Sequence, residues 1–492
     1  MSSQTKWITS DLFHSFIHCQ KLSWLSFQNN IFIQSHYTHF FTHEIQFIIK
    51  HLTKKDPNTK YIDPNLPIQL RYNQTLLALN DQHKIVNGCL CWQQFTCKLD
   101  MLFFVNNQWQ LSYIHPGFRL QKKDYISIAF VMHLLSKHDI TISKINVMVI
   151  NEHYRRLSSL DINKLLISSE IIQKVRPLIP TVAEKMNFLA SQLNQNTAPK
   201  IPFNLPCIKP TTCQFLSTCF PYLSSNSIIK LSGISKQKKV TLIQNKISSI
   251  HDIALHMTLN PQQSIQVSCL LDNQPFYDVK LIESFLTQLQ FPLYFMDFEV
   301  AQFIVPPFKG LKPLHQLPFQ YSIHCLDHIE SDAIHLDYLH QFTDNPEPYF
   351  AKKLCQDIPA NVSIIVFNSH LESSILRSLQ SQFPEYAAKL HRINQQLVDL
   401  SILFTNNAYY HPKMNGRYSL KDIYTAMLPN NKMQFKFLEI QNGESANIAY
   451  KEFLYETDAQ KRNNTINQLT HYCQLDTYSM VAIIKHLFQI IN

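Results

Sequence analysis

Glycine is scarce in this chain, with six in 492 residues. None belongs to a Gly-rich loop able to cradle phosphates, which argues against a nucleotide-triphosphate motor. Missing too is any uncharged apolar run of the ~18 residues that a membrane-spanning helix requires. The opening, Met1 to Phe16, has no basic stretch followed by an apolar one. A cytoplasmic protein with no membrane partner is therefore expected. Charge is thin: a net +9 spread over the whole length permits an anionic partner without specifying one. Cysteine, by contrast, is plentiful. Eleven of them, an odd number, are scattered without a secretion signal, and this fits thiols or metal ligands better than disulfides.

What is present begins with length. A chain of 492 residues exceeds one core and suggests about two to four domains. The most informative stretch is Tyr294-Phe-Met-Asp-Phe-Glu-Val300, which sets Asp297 and Glu299 two apart in an apolar run. On a strand both carboxylates point to one side while Met296 and Phe298 point to the other. Two acids on one face of a buried strand repel each other, and a cation or a proton relieves them. An edge strand with one solvated face is the plainer alternative.

Residues 1–225 read as one mixed unit. A helical opening runs from Ser10 to Phe27, with Cys19 on or beside its buried face. Phe95 to Val105 and Trp109 to Ile114 form a hairpin around Asn106-Asn107-Gln108. The helix Tyr125 to Leu135 then precedes a buried strand, Ile145 to Ile150. Cys89, Cys91 and Cys97 alternate as a strand does and read as core or exposed thiols. Cys207, Cys213 and Cys219 lie within thirteen residues around a Pro-Thr-Thr turn, and such a group suits a soft metal. Zinc and an iron–sulfur cluster both fit three thiols plus a distant fourth.

Residues 226–288 read as a helical connector. Leu231-Ser-Gly-Ile-Ser-Lys-Gln-Lys-Lys-Val resembles a helix-hairpin-helix element, which offers backbone N–H groups and lysines to phosphates. Its nucleic-acid-binding candidates are Lys236, Lys238, Lys239 and Lys246. A charged face of a linker bundle is the alternative.

Residues 289–492 form the last domain. Strands at Pro292 to Val300, Leu317 to Leu326 and Ala333 to Leu339 follow one another without helices. Helix Glu347 to Gln356, strand Val362 to Asn368, helix Leu371 to Leu379 and a short strand around Val398 come next. Such an order fits a mixed sheet of RNase H type. Near the end, Tyr472 and Asp476 stand four apart on one face of a helix, spaced for a cation and its bound water. His471 beside them reads as an exposed bystander.

Two resemblances organise these signals. Cys19 in His18-Cys19-Gln-Lys-Leu-Ser-Trp-Leu, followed by a nuclease-like core and three closing cysteines, resembles RecB-like nucleases that hold a four-iron four-sulfur cluster. That likeness implies Cys19, Cys207, Cys213 and Cys219 as ligands, with zinc as the alternative ion. The PD-(D/E)xK set of those nucleases is incomplete here. Asp100 matches the aspartate, but Ser112-Tyr113-Ile114 stands where Glu-x-Lys is expected, which implies an inactive nuclease fold.

Motif Asp297-x-Glu299 with the Tyr-x3-Asp of the last helix resembles DnaQ-like, tyrosine-type DEDD exonucleases. Asn368-Ser-His-Leu-Glu372 supplies glutamate where that family has aspartate, and Asp399 is the rival third acid. The likeness implies a class α/β (α+β) protein with an RNase H-like exonuclease domain. Asp297, Glu299, Glu372 and Asp476 would hold two Mg²⁺ or Mn²⁺ ions, with Tyr472 orienting water. The partner implied is a single-stranded 3′ end of DNA or RNA.

Across nearly its whole length, and most specifically after Leu293, the chain resembles an uncharacterised bacterial family that joins a RecB-like front half to a DnaQ-like rear. The alternatives are a non-catalytic nucleic-acid platform, or a host-directed interaction protein using both folds as scaffolds.

Overall fold

The computed structural model describes residues 6–31, 40–54, 58–223, 226–429 and 439–492. Its mixed α/β chain divides into two units. The first comprises Met1–Pro202, Cys213–Phe215 and Phe303–His315; the second comprises Phe203–Thr212, Leu216–Gln302 and Gln316–Asn492. The residues expected as a separate connector, 226–288, fall in the second unit. No helix among the described residues is long and apolar enough to cross a membrane.

The first unit is built on a six-stranded sheet whose strands lie side by side in chain order: β1 (Thr59–Tyr61), β2 (Lys84–Trp92), β3 (Phe95–Val105), β4 (Gln108–His115), β5 (Ile142–Ile150) and β6 (Leu166–Glu170). Asn106 and Asn107 turn β3 into β4 with φ of 51° and 59°, the left-handed pair that a two-residue hairpin loop demands. The pairs β1–β2 and β4–β5 are parallel and the rest antiparallel.

Helices α1 (Ser10–His18), α2 (Gln20–Gln28), α3 (Thr42–Thr53), α4 (Ile68–Asn80), α5 (Lys122–Ser136) and α6 (Ile179–Leu193) surround this sheet. One core joins Phe13 of α1, Phe130 of α5 and Met186 of α6 to Leu90, Leu99 and Ile145. Another sets Ile45, Ile48 and Ile49 of α3 against Val86, Met101 and Ile114, together with Ile304 from the returning segment. The single opening helix expected over Ser10–Phe27 is two helices. Cys19 is extended (φ −159°, ψ 115°), and its Sγ accepts the Leu22 N–H at 3.4 Å, capping α2.

The second unit centres on a five-stranded sheet of order β10-β9-β8-β11-β12, made of β8 (Leu293–Ala301), β9 (Leu317–Leu326), β10 (Ile334–Leu339), β11 (Ser363–Val366) and β12 (Leu397–Asp399). Strands β8, β9 and β10 run antiparallel, whereas β11 is parallel to both β8 and β12. In chain order its helices include α7 (Lys236–Gln244), α8 (Ile250–His256), α9 (Pro261–Asp272), α10 (His370–Gln382), α11 (Leu420–Met427), α12 (Gly443–Tyr455) and the 33-residue α13 (Ala459–Ile491). A ribbon of β7 (Phe276–Tyr277) and β13 (Tyr409–Tyr410) links the 226–288 segment to the rest.

That segment is stitched in by polar contacts around one glycine. Gln266 of α9 donates to Lys230 O at 2.8 Å and to the Tyr410 hydroxyl at 3.1 Å, while Lys230 Nζ donates to Asn415 Oδ1 at 2.7 Å. Gly416 (φ +72°) threads between them, and a Cβ there would fall 1.7 Å from Lys230 O. Both strain and collision therefore oppose a side chain at this position. Gly416→Ala is expected to lower stability by about 2 kcal/mol or more. Urea unfolding measures this, and an unchanged midpoint would contradict the packing described.

Candidate active site

Strand alternation divides β8 between two cores. Tyr294, Met296 and Phe298 face one, with Ile375, Leu376 and Leu379 of α10, while Leu293 and Phe295 face the other, with Met480 and Ile484 of α13. Asp297 and Glu299 share the α13 side. Their cross-strand partners on β9 are Ser322 and Gln320 respectively.

Those two partners fasten α13 to the sheet. Gln320 Nε2 donates to Leu469 O at 2.9 Å, and the Ser322 and Thr477 hydroxyls meet at 2.8 Å. His324 Nδ1 also reaches Thr477 Oγ1 at 2.8 Å, and His335 Nε2 lies 2.9 Å from Ser322 Oγ. Burial, aided by His335, lowers the His324 pKa to about 4, so the network is neutral. The two attachment points, Leu469 and Thr477, bracket Tyr472, Cys473 and Asp476. Tyr472 and Asp476 thus lie on one buried helix face, as their spacing predicts, with the two side chains beside each other.

Glu372 arrives from α10, three residues into the helix, and is only 3% exposed. Its Oε2 is buried with no hydrogen-bond partner. The structure thereby brings together Asp297, Glu299, Glu372, Asp476 and Tyr472.

Asp399, the rival third acid, is spent on backbone. It accepts from Asn368 N (3.0 Å), Ser369 N (3.0 Å) and Ser401 N (2.9 Å). Burial works against its charge, but the Ser401 contact and the backbone N–H groups outweigh that and hold its pKa low. Its role is to fix the turn at Asn368 (φ +63°) that starts α10 and aims Glu372.

Crowded carboxylates resist ionisation together. Burial and the field of Asp476, then those of Glu299 and Glu372, push the Asp297 pKa well above the usual carboxylate range. Burial and Asp476 raise Glu299 to about 8, against the opposing pull of Lys421. Glu372 rises to about 7, chiefly by burial and then by Asp399, and Asp476 rises to about 6 by burial, again opposed by Lys421. Tyr472 is raised by burial and by Asp476, Glu299 and Asp297, so it is a neutral hydroxyl at physiological pH.

Two further residues belong to the site although sequence patterning did not single them out. Lys421, in the first turn of α11, lies 4.9 Å from the Tyr472 ring centre and bonds to Gln441 O. Cys473 donates its S–H toward Asp297 Oδ2 at 3.8 Å, and ligand atoms of Asp297, Glu299 and Cys473 all lie within 4.8 Å of one another. Burial and the neighbouring acids keep that thiol protonated, so it serves as a donor. A hard oxygen set with an unsatisfied Glu372 oxygen fits Mg²⁺ or Mn²⁺. His471 is exposed.

Other sequence candidates lie elsewhere. Lys236 donates to Pro210 O at 2.6 Å and Lys239 to Ile229 O at 2.8 Å, both in internal bonds. Burial, with Lys236 beside it, lowers Lys239 to about 8. Lys238 and Lys246 are exposed. Of the four proposed sulfur ligands, Cys19 and Cys213 belong to the first unit and Cys207 and Cys219 to the second. The Cys19 thiol is raised chiefly by burial, with a contribution from Cys213, and Cys207 donates to Asn204 Oδ1 at 3.2 Å. Cys89, Cys91 and Cys97 are buried in strands, the first two against the Thr96 hydroxyl. Asp100 accepts the Ile114 N–H at 3.3 Å and lies 3.5 Å from Lys98 Nζ.

The raised acids carry a sign for stability. Groups whose folded pKa exceeds the unfolded value bind more protons when folded, so stability falls as pH rises. Glu299, Glu372 and Asp476 put that window between about pH 4 and about pH 8. In EDTA the melting temperature should fall across this window, and excess Mn²⁺ should recover most of the loss at its alkaline end. A melting temperature indifferent to both pH and Mn²⁺ would refute the clustering.

No curated protein matches the chain. A family model described as Domain of unknown function (DUF2779) matches residues 294–419. The matched span contains Asp297, Glu299, Glu372 and Asp399 and stops short of Lys421, Tyr472 and Asp476. Residues 294–419 therefore form a DUF2779 domain, whose site is completed by helices that follow it in the chain.

Proposed function

We propose that the second unit is a metal-dependent 3′–5′ exonuclease that hydrolyses phosphodiester bonds of DNA or RNA from a single-stranded 3′ end. The observation carrying this reading is the convergence of Asp297, Glu299, Glu372 and Asp476, with one Glu372 oxygen buried and unsatisfied and Tyr472 beside Asp476. Three antiparallel strands followed by two parallel ones also agree with the RNase H-like sheet that the sequence resembles.

Asp297, Glu299, Glu372 and Asp476 would hold two Mg²⁺ or Mn²⁺ ions. When bound, such ions lower the pKa of a water and stabilise the leaving oxygen. The chain supplies the rest. Tyr472, kept neutral by burial and its acidic neighbours, accepts or donates one hydrogen bond and so orients the attacking water. Lys421 offers a fixed positive charge to the substrate phosphate. Cys473 holds Asp297 in one rotamer through its S–H contact. Asp399 aims Glu372 without touching the reacting atoms.

The first unit is read as having no nuclease chemistry, because Asp100 is engaged by Ile114 and Lys98. A cytoplasmic setting belongs to the same reading. A second reading, a nucleic-acid platform, draws on the longer arm of Glu372 where the resembled family has aspartate.

Degradation of 3′-labelled and 5′-labelled single-stranded DNA and RNA with Mn²⁺ or Mg²⁺ separates the two. Stepwise 3′ loss is expected, falling about 10³-fold or more in Asp297→Ala and Asp476→Ala and about 10–100-fold in Tyr472→Phe. Binding without hydrolysis in the unaltered chain would overturn the exonuclease reading in favour of the platform.

The sulfur ligand set Cys19, Cys207, Cys213 and Cys219 rests on the sequence resemblance. Protein purified without oxygen should contain iron and acid-labile sulfide, or zinc in their place, and Cys213→Ser should lose it. Metal-free protein from both preparations would remove the proposal.

A further inference from the structure

Helix α3 presents two contrasting faces. Ile45, Ile48 and Ile49 are buried in the core of the first unit, while His43, Phe47 and Lys50, at spacings of four and three, lie along a cleft of about 580 Å³. That volume is within the range of about 300–1,000 Å³ typical of ligand sites. Lys54, just past the helix, extends the line, and Tyr61 of β1 forms part of the wall.

Three properties of this cleft point to one kind of occupant. Its aromatic rings are open to solvent: Phe47 is 49% and Tyr61 44% exposed. Its charge has one sign, since no carboxylate is among the described residues that line it, while Lys50 and Lys54 are. The one acid near the start of α3, Glu44, is turned elsewhere and accepts the Val305 N–H at 2.8 Å.

The cleft is also built rigidly. The Tyr61 hydroxyl is held 2.5 Å from Thr53 Oγ1. In the floor, Gln46 and Asn87 exchange amide hydrogen bonds of 2.9 and 2.7 Å, with Asn87 at φ +57°. Each amide keeps a second N–H and a second lone pair beyond that exchange, enough to meet the polar edge of a base.

We propose that this cleft binds single-stranded nucleic acid, stacking bases on Phe47 and Tyr61 and pairing the adjoining phosphates with Lys50 and Lys54. Flat aromatic faces accept any base, and cations that track a backbone add affinity without sequence preference. The site lies in the first unit and does not require the second unit to be a nuclease, so it stands or falls separately from the exonuclease reading.

The test uses the full chain in EDTA, which prevents metal-dependent hydrolysis, with fluorescein-labelled oligo(dT), oligo(dU) and oligo(U) as probes. Fluorescence anisotropy should show Phe47→Ala binding about tenfold more weakly. Lys50→Gln with Lys54→Gln should weaken binding about fivefold or more and flatten the slope of log K against log salt by about 1.4, or 0.7 per lost phosphate contact. Lys185→Gln with Lys200→Gln, two exposed lysines that do not line the cleft, serves as the charge-matched control and should bind as the unaltered chain does.

Ultraviolet crosslinking followed by mass spectrometry should attach the probe to α3 or to Tyr61 of β1. Stronger binding of oligo(U) than of oligo(dU), which differ only at the 2′ position, or the reverse, would identify the sugar preferred. Crosslinks confined to other segments, unaltered affinity in these variants, or equally good displacement of the probe by polyglutamate would each overturn the proposal.

Discussion

Four carboxylates, three of them buried and Asp297 half-buried, lie within reach of one another and set the terms for the second unit. Each loses hydration, and each feels the others through a medium less polarisable than water, so their ionisation is costly unless cations or protons intervene. The fold nevertheless forces the approach. Glu299 and Asp297 are directed by the pleat of β8, and their immediate neighbours across β9 hold α13 at Leu469 and Thr477. Asp476 and Tyr472 lie between those two points and have little freedom to withdraw. An arrangement that opposes repulsion with neutral hydrogen bonds is preorganised for positive charge.

Hydrogen bonding separates the acid that works on structure from the one left with an unsatisfied oxygen. Asp399 has three backbone N–H partners and a depressed pKa, as expected of a carboxylate that caps a turn. Glu372, close enough to feel its charge, has an oxygen with no partner and a raised pKa. The two acids have opposite environments because one is consumed in aiming the other. Lys421 then sets the balance among the remaining groups, drawing down Glu299 and Asp476 without neutralising the cluster.

Much of this architecture was legible in local pattern. Strand Leu317–Leu326 has the bounds its apolar run suggests, and the Asn106-Asn107 turn appears where two left-handed residues join alternating strands. The spacing of Asp297 from Glu299 and of Tyr472 from Asp476 already assigned each pair to one face. The break between α1 and α2 is hidden from periodicity, because helical spacing continues through Cys19, whose sulfur caps the following helix. The β7–β13 ribbon was invisible, since strands of two residues have no periodicity to detect.

Periodicity and chemical type, which act over a few residues, therefore determined by themselves the five strands of the second sheet and which acids share a side. Only the tertiary structure decided that Glu372 joins the cluster while Asp399 supports it, since both lie beside short strands and differ in which backbone N–H groups reach them. Lys421 and Cys473 likewise acquire meaning only through contacts separated by tens to hundreds of positions. Electrostatic and hydrogen-bonding partners are chosen by distance in space, and no window along the chain contains that distance.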